Sequence, residues 1–139
     1  MNMMVNETLT IDDDKIVCMI HERLCKEYGM AQCRIFNYAV EALDYILSRN
    51  HRDYSFTILL DINMPGMDGW EFLERLQRQV LKNRIYLILV TSSIDPADRE
   101  RAQSYRMVKN YITKPLTVQK LQGLLEDHDL RNHMRSLAI

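Results

Sequence analysis

Four short stretches of this sequence carry residue types that together suit phosphoryl chemistry. Asp12, Asp13 and Asp14 stand in a row, and Asp61 closes the apolar run FTILL at 56–60. Thr91, Ser92 and Ser93 close the run IYLILV at 85–90, and Lys114 follows a further apolar-leaning stretch at 108–112. Clustered carboxylates repel one another unless a cation joins them. Hard oxygen donors with no His or Cys beside them select Mg²⁺, with Mn²⁺ as the alternative, over zinc. Mg²⁺ keeps several waters, so a few carboxylates and a phosphoryl oxygen complete its octahedron. A lysine and a hydroxyl would meet the remaining phosphoryl oxygens, and an aspartate facing such a group is a known type of covalent nucleophile. Taken singly, each residue has a plainer reading. Asp14 suits a helix N-cap, Asp61 a turn before Pro65-Gly66, Thr91 a β-branched strand position and Lys114 the surface. Three aspartates in a row exceed what capping requires, and a charge ending a buried strand needs a partner.

These residues meet only if the chain gathers its strand ends. Apolar stretches ending near Ile11, Phe36, Leu60, Val90 and Ile112 alternate with five helical patterns. The first strand is polar for its kind, with Thr8 and Thr10. Val17, Ile20, Leu24 and Tyr28 fall on one helical stripe stopped by Gly29, and Asn37 is placed to cap a helix carrying Ala39, Leu43, Ile46 and Leu47. Trp70, Leu73, Leu76 and Val80 mark the third helix. Asp95-Pro96 opens the fourth, which is rich in charge, and Thr117 caps a fifth bearing Val118, Leu121, Leu124 and Leu125. The tail from about 127 to 139 either prolongs that helix or frays. Strands 56–60 and 85–90 are apolar on both faces, as a parallel sheet covered by helices on both sides demands. In such a sheet, ligands bind beyond the carboxyl ends of the strands, where all four stretches end.

The bulk composition excludes several other classes. The chain has 139 residues, 18 basic and 19 acidic, for a formal net charge of −1. One domain is expected, and direct nucleic-acid binding is not. Three cysteines (Cys18, Cys25, Cys33) without a C-x-x-C pair indicate neither a disulfide framework nor a zinc site, and read as small buried residues. The four histidines (His21, His51, His128, His133) show no ligand spacing and are placed at the surface. No stretch approaches the ~18 to 20 apolar residues of a membrane span, and residues 1–15 show no signal peptide, so a cytoplasmic protein is expected.

The pieces IDDDK (11–15), LLDINMPGMDGWEFL (59–73), LVTSS (89–93) and YITKPL (111–116) appear in this order, and with them the chain resembles a receiver domain of two-component response regulators. The resemblance runs from about residue 9 to about 125. It implies a flavodoxin-like, doubly wound α/β fold with a five-stranded parallel sheet of order 2-1-3-4-5 and five helices, as a single domain over 1–139 with its core at about 8–127. It implies that Asp61 is the phosphoacceptor, that Asp12, Asp13, Asp61 and the backbone carbonyl of Asn63 hold Mg²⁺, and that Thr91 and Lys114 contact the phosphoryl group. Tyr111 matches the aromatic that moves with Thr91 as a switch, and the Lys114–Pro115 bond is expected to be cis. The donor would be a sensor histidine kinase or a histidine phosphotransfer protein.

Only about a dozen residues follow the last expected helix, so a stand-alone receiver is expected. Its output would be binding to another protein or passing the phosphoryl group onward, and its only catalysis would be its own phosphorylation and dephosphorylation. The segment RMVKN before Tyr111 lacks the small Gly-Ala pair of many family members, which leaves the downstream partner unidentified. Two alternatives are an unphosphorylated receiver-like binding module and an aspartate-nucleophile phosphatase. The second wants another acid two residues after the nucleophile, where this chain has Asn63.

Overall fold

The computed structural model describes residues 4–30 and 32–135. Five strands, β1 (Val5–Ile11), β2 (Cys33–Phe36), β3 (Tyr54–Leu60), β4 (Arg84–Thr91) and β5 (Val108–Thr113), form one parallel sheet of order β2-β1-β3-β4-β5. The helices are α1 (Lys15–Glu27), α2 (Ala39–Ser48), α3 (Gly69–Gln77), α4 (Pro96–Gln103), α5 (Val118–Leu125) and α6 (His128–Arg135). The expected fold class and strand order are what the structure shows. The helix count is six among the described residues, because residues 128–135 of the tail form a separate helix beyond Glu126 and Asp127 instead of prolonging α5 or fraying, while 136–139 lie outside the described residues.

Alternation along the strands divides the core. Leu9, Ile11, Phe56, Ile58, Leu60, Leu87 and Leu89 pack with residues of α2 and α3 on one face. Leu59, Tyr86, Ile88 and Val90 pack with residues of α1, α5 and α6 on the other. Leu130 of α6 is fully buried in this second layer, which is why a polar tail holds a defined helix there.

Helix α1 departs from its expected stripe. Cys18, His21 and Cys25 are buried, whereas Ile16, Met19 and Ile20 are exposed and Val17, Leu24 and Tyr28 are only partly covered. The reason lies in the polar first strand. Thr8 and Thr10 alternate with Leu9 and Ile11 and so fall on the opposite face, where α1 lies. The Thr10 hydroxyl pairs with His21 Nδ1 at 2.9 Å. A buried hydroxyl left unpaired would cost about 1–3 kcal/mol, so α1 turns a histidine inward and an isoleucine outward. His21 is therefore not a surface residue. Neither is His133, whose Nε2 lies 3.0 Å from both Ser55 Oγ and the Phe56 carbonyl.

Two other helix boundaries differ from the sequence reading. Tyr38 occupies the N-cap of α2 without a side-chain cap, because the Asn37 amide is spent elsewhere, donating to the Asp12 carbonyl at 3.0 Å. Helix α3 ends at Gln77, which leaves Val80 outside it and exposed.

Candidate phosphoacceptor site

Each residue of the site is placed by the end of a strand. Backbone hydrogen bonds carry the parallel pairing one step past the strands: Asp61 N–H donates to the Ile11 carbonyl and Asp12 N–H to the Phe36 carbonyl, both at 3.0 Å. Lys114 N–H donates to the Thr91 carbonyl at 2.8 Å. Residues 12, 61, 91 and 114 therefore share one edge, the carboxyl edge of the sheet.

The loops beyond the strands are fixed by short polar contacts. Asp14 caps α1, its carboxylate accepting from the Ile16 and Val17 amides, so the capping reading holds for Asp14. Asp12 Oδ1 accepts from Asp14 N–H at 2.9 Å, and the Asp12 carbonyl also receives the Cys18 thiol. After β3, Asp68 caps α3 through the Glu71 amide. Gly69 comes so close to the strand end that a Cβ there would lie 2.5 Å from the Asp61 carbonyl oxygen and 2.8 Å from Ile62 Cα. Only glycine allows α3 to start against the backbone of Asp61. The Lys114–Pro115 bond is cis, as expected.

The side chains converge. Carboxylate oxygens of Asp12, Asp13 and Asp61 all lie within 4.8 Å of one another. Lys114 Nζ bridges two of them, at 2.6 Å from Asp12 Oδ2 and 3.2 Å from Asp61 Oδ2. Asp61 Oδ1 accepts from Ile62 N–H at 2.8 Å. Asp12 and Asp61 are buried and Asp13 is exposed at the mouth. Burial, with the charge of Asp12 added, holds the Asp61 carboxyl above the usual carboxylate range even though Lys114 pulls it down. Burial also works against the Lys114 ammonium group, but the two carboxylates overcome it and raise its pKa.

Three carboxylates against one ammonium group leave an excess of negative charge in a partly dry pocket. All the donors are hard oxygens, and one of them, on Asp13, faces solvent. That set fits a divalent cation of the Mg²⁺ type.

Thr91 is fully buried, and its Oγ1 accepts from Ser93 N–H at 3.3 Å. Tyr111 is half-buried on β5 and donates its hydroxyl proton to the Ser93 carbonyl at 3.1 Å, with the Arg99 guanidinium 4.5 Å from its ring centroid. Asn63 is exposed in the turn after β3. Sequence reasoning missed three participants: Asn37, which holds the Asp12 backbone, His21 beneath Thr10, and the contacts of Ser93. Asn37 and His21 act through partners distant in sequence, which spacing does not mark, and the Ser93 contacts with Thr91, Asp95 and Asp98 are local but depend on the conformation of the loop after β4.

Known proteins similar to this chain can be placed beside it. A segment of the sensor histidine kinase CheAY of Helicobacter pylori is 32% identical over 118 residues, covering 85% of this chain and 14% of the kinase. The transcriptional regulatory protein MalR of Bacillus subtilis is 29% identical over 125 residues, covering 90% of this chain and 50% of the regulator. This chain thus spans half or less of the length of these two relatives. The crystal structure of a response regulator receiver protein from Dyadobacter fermentans superposes with a TM-score of 0.77 at 28% identity, covering 88% of this chain and 96% of that one. Residues 8–126 match the family model of the response regulator receiver domain, and the chain belongs to that family.

Proposed function

We propose that the protein is a phosphoreceiver: Asp61 accepts a phosphoryl group from a phosphohistidine of a sensor histidine kinase or a histidine phosphotransfer protein, with Mg²⁺ required. The observation that carries this reading is the Lys114 bridge between two buried carboxylates beside an exposed third. An oxygen of Asp61 forms the new O–P bond while the P–N bond to the donor imidazole breaks. The imidazole leaves with the bonding electrons and is protonated from solvent. The attacking group is the ionised Asp61 carboxylate, which Lys114 and a bound cation would hold in that form. Mg²⁺, held by Asp12, Asp13, Asp61 and the Asn63 carbonyl, would neutralise phosphoryl oxygens. Lys114 stays within reach of the product and pairs with it, and the Thr91 hydroxyl, whose proton is not used by Ser93 N–H, donates to a phosphoryl oxygen. The resulting change at Thr91 and Tyr111 alters the surface around α4 and β5, which a protein partner reads.

The test is the intact mass of the protein after incubation with acetyl phosphate and Mg²⁺. The wild-type chain gains one phosphoryl mass and Asp61→Asn gains none. Uptake by Asp61→Asn at the wild-type rate contradicts the assignment.

A further inference from the structure

The residue two after Thr91 is joined to more of the switch region than its size suggests. Ser93 N–H donates to Thr91 Oγ1, the Ser93 carbonyl accepts from the Tyr111 hydroxyl, and Ser93 Oγ donates to Asp98 Oδ2 in the first turn of α4. Ser93 Oγ also accepts from Asp95 N–H at 3.3 Å, and Asp95 is the N-cap of α4, accepting from Ala97 N–H at 2.9 Å. One small side chain thus ties the end of β4 to both the cap and the first turn of α4, while its backbone ties β4 to β5.

We propose that Ser93 is the positioning residue that carries the switch into α4, acting through its hydroxyl and Asp98. The inference rests on the phosphoreceiver reading above. The bond from Ser93 N–H to Thr91 is long, at 3.3 Å, and therefore weak. A rotation that turns Thr91 Oγ1 toward a phosphoryl group on Asp61 either breaks this bond or draws Ser93 with it. The second outcome moves Ser93 directly, and the first frees its amide from the end of β4 and leaves it held by α4 and Tyr111. Because Ser93 Oγ is bonded to Asp98 in the first turn of α4, and more weakly to the N-cap amide, the helix start follows. The Tyr111 arm is separate, since it uses the carbonyl, which every residue has. The two outputs therefore divide within one residue: backbone to Tyr111, side chain to α4. Arg99, which lies over the Tyr111 ring, is itself on α4 and would report on both.

The experiment compares amide spectra of the full chain with Mg²⁺, with and without beryllium fluoride, for wild type, Ser93→Ala, Ser93→Thr and Asp98→Ala. Three readouts are taken: Ile62 and Lys114 at the site, Tyr111 on β5, and residues 97–103 of α4. We expect Ser93→Ala and Asp98→Ala to keep the shifts at the site and at Tyr111 and to lose at least half of the shift along α4. Ser93→Thr, which restores a hydroxyl, should recover most of it, a rescue that a merely structural role would not produce. A full α4 shift in Ser93→Ala overturns this inference and leaves the phosphoreceiver reading intact. Absence of any site shift in the wild-type chain overturns both. Equal loss at Tyr111 and α4 in Ser93→Ala contradicts the division between backbone and side chain.

Discussion

The two ends of the sheet treat buried charge in opposite ways. At the amino end, Glu7 is buried and fully answered: Arg34 Nε lies 3.1 Å from Oε2 and the Tyr45 hydroxyl donates to Oε1. The Arg34 and Arg49 guanidinium groups lie over the Tyr45 ring at 4.7 and 3.8 Å. Ser55 and the Phe56 carbonyl are similarly engaged by His133 of α6. At the carboxyl end, Asp12 and Asp61 are as deeply buried, yet they share one ammonium group with exposed Asp13 close by. One end is neutralised by the protein itself. The other keeps a negative excess, which a bound cation or a proton on Asp61 would offset.

The contrast is sharpest in its dependence on pH. His21, beneath the carboxyl end, is pushed down by burial to about 4 from an ordinary value of 6.5. Its neutral form therefore adds stability above pH 6.5, and that contribution is lost as the pH falls through about 4. The expected loss is roughly 3 kcal/mol across the window. Asp61 works in the opposite direction, since its raised pKa adds stability as the carboxyl gains its proton. Urea midpoints of wild type and His21→Asn between pH 7 and pH 4 separate the two. The variant keeps a partner for Thr10 and should lose most of the acid-induced fall. An unchanged fall would place its cause elsewhere.

Next in size is the cation. Mg²⁺ at a hundredfold excess over its Kd should stabilise the folded chain by roughly 2.7 kcal/mol, and Asp13→Ala should remove most of that gain without a comparable loss in the metal-free protein. Thermal melts with and without Mg²⁺ read both. A shift of equal size in the variant would exclude Asp13 as a ligand.

Neutralising one carboxylate at each end should give opposite signs. Glu7→Ala strands the Tyr45 hydroxyl and loses an ion pair, costing about 2 kcal/mol in urea unfolding. Asp61→Asn relieves a carboxylate disfavoured by burial and by Asp12, so the metal-free variant should unfold at a higher midpoint. Two shifts of the same sign would dissolve the distinction between the ends.

What was legible in the sequence follows the same division. Asp61 and Thr91 each end an apolar strand and Lys114 follows a more mixed one, and parallel topology alone brings such ends together. The identity of their neighbours was hidden wherever a polar residue is buried by a partner from elsewhere. Thr10 calls His21 inward against the hydropathy of Ile16, Met19 and Ile20, and the backbone of Asp12 takes Asn37 away from its expected cap. Helix α6 was hidden because Leu130 and Met134 are the only apolar residues in its sequence HDLRNHMR, too few to set a period in so polar a segment. Gly69 is the converse case: it stands in the quoted motif, but its necessity is visible only in the clash a Cβ would make, 2.5 Å from the Asp61 carbonyl oxygen.

The most direct test of the phosphoacceptor claim locates the modified atom. Borohydride reduction of an acyl phosphate converts the aspartate to homoserine, so treatment of the phosphorylated chain followed by peptide mass analysis reads the site without mutation. Homoserine at position 61 and nowhere else, dependent on Mg²⁺, is the predicted result. Homoserine at position 12 or 13 instead, or none after phosphodonor treatment, would contradict the account.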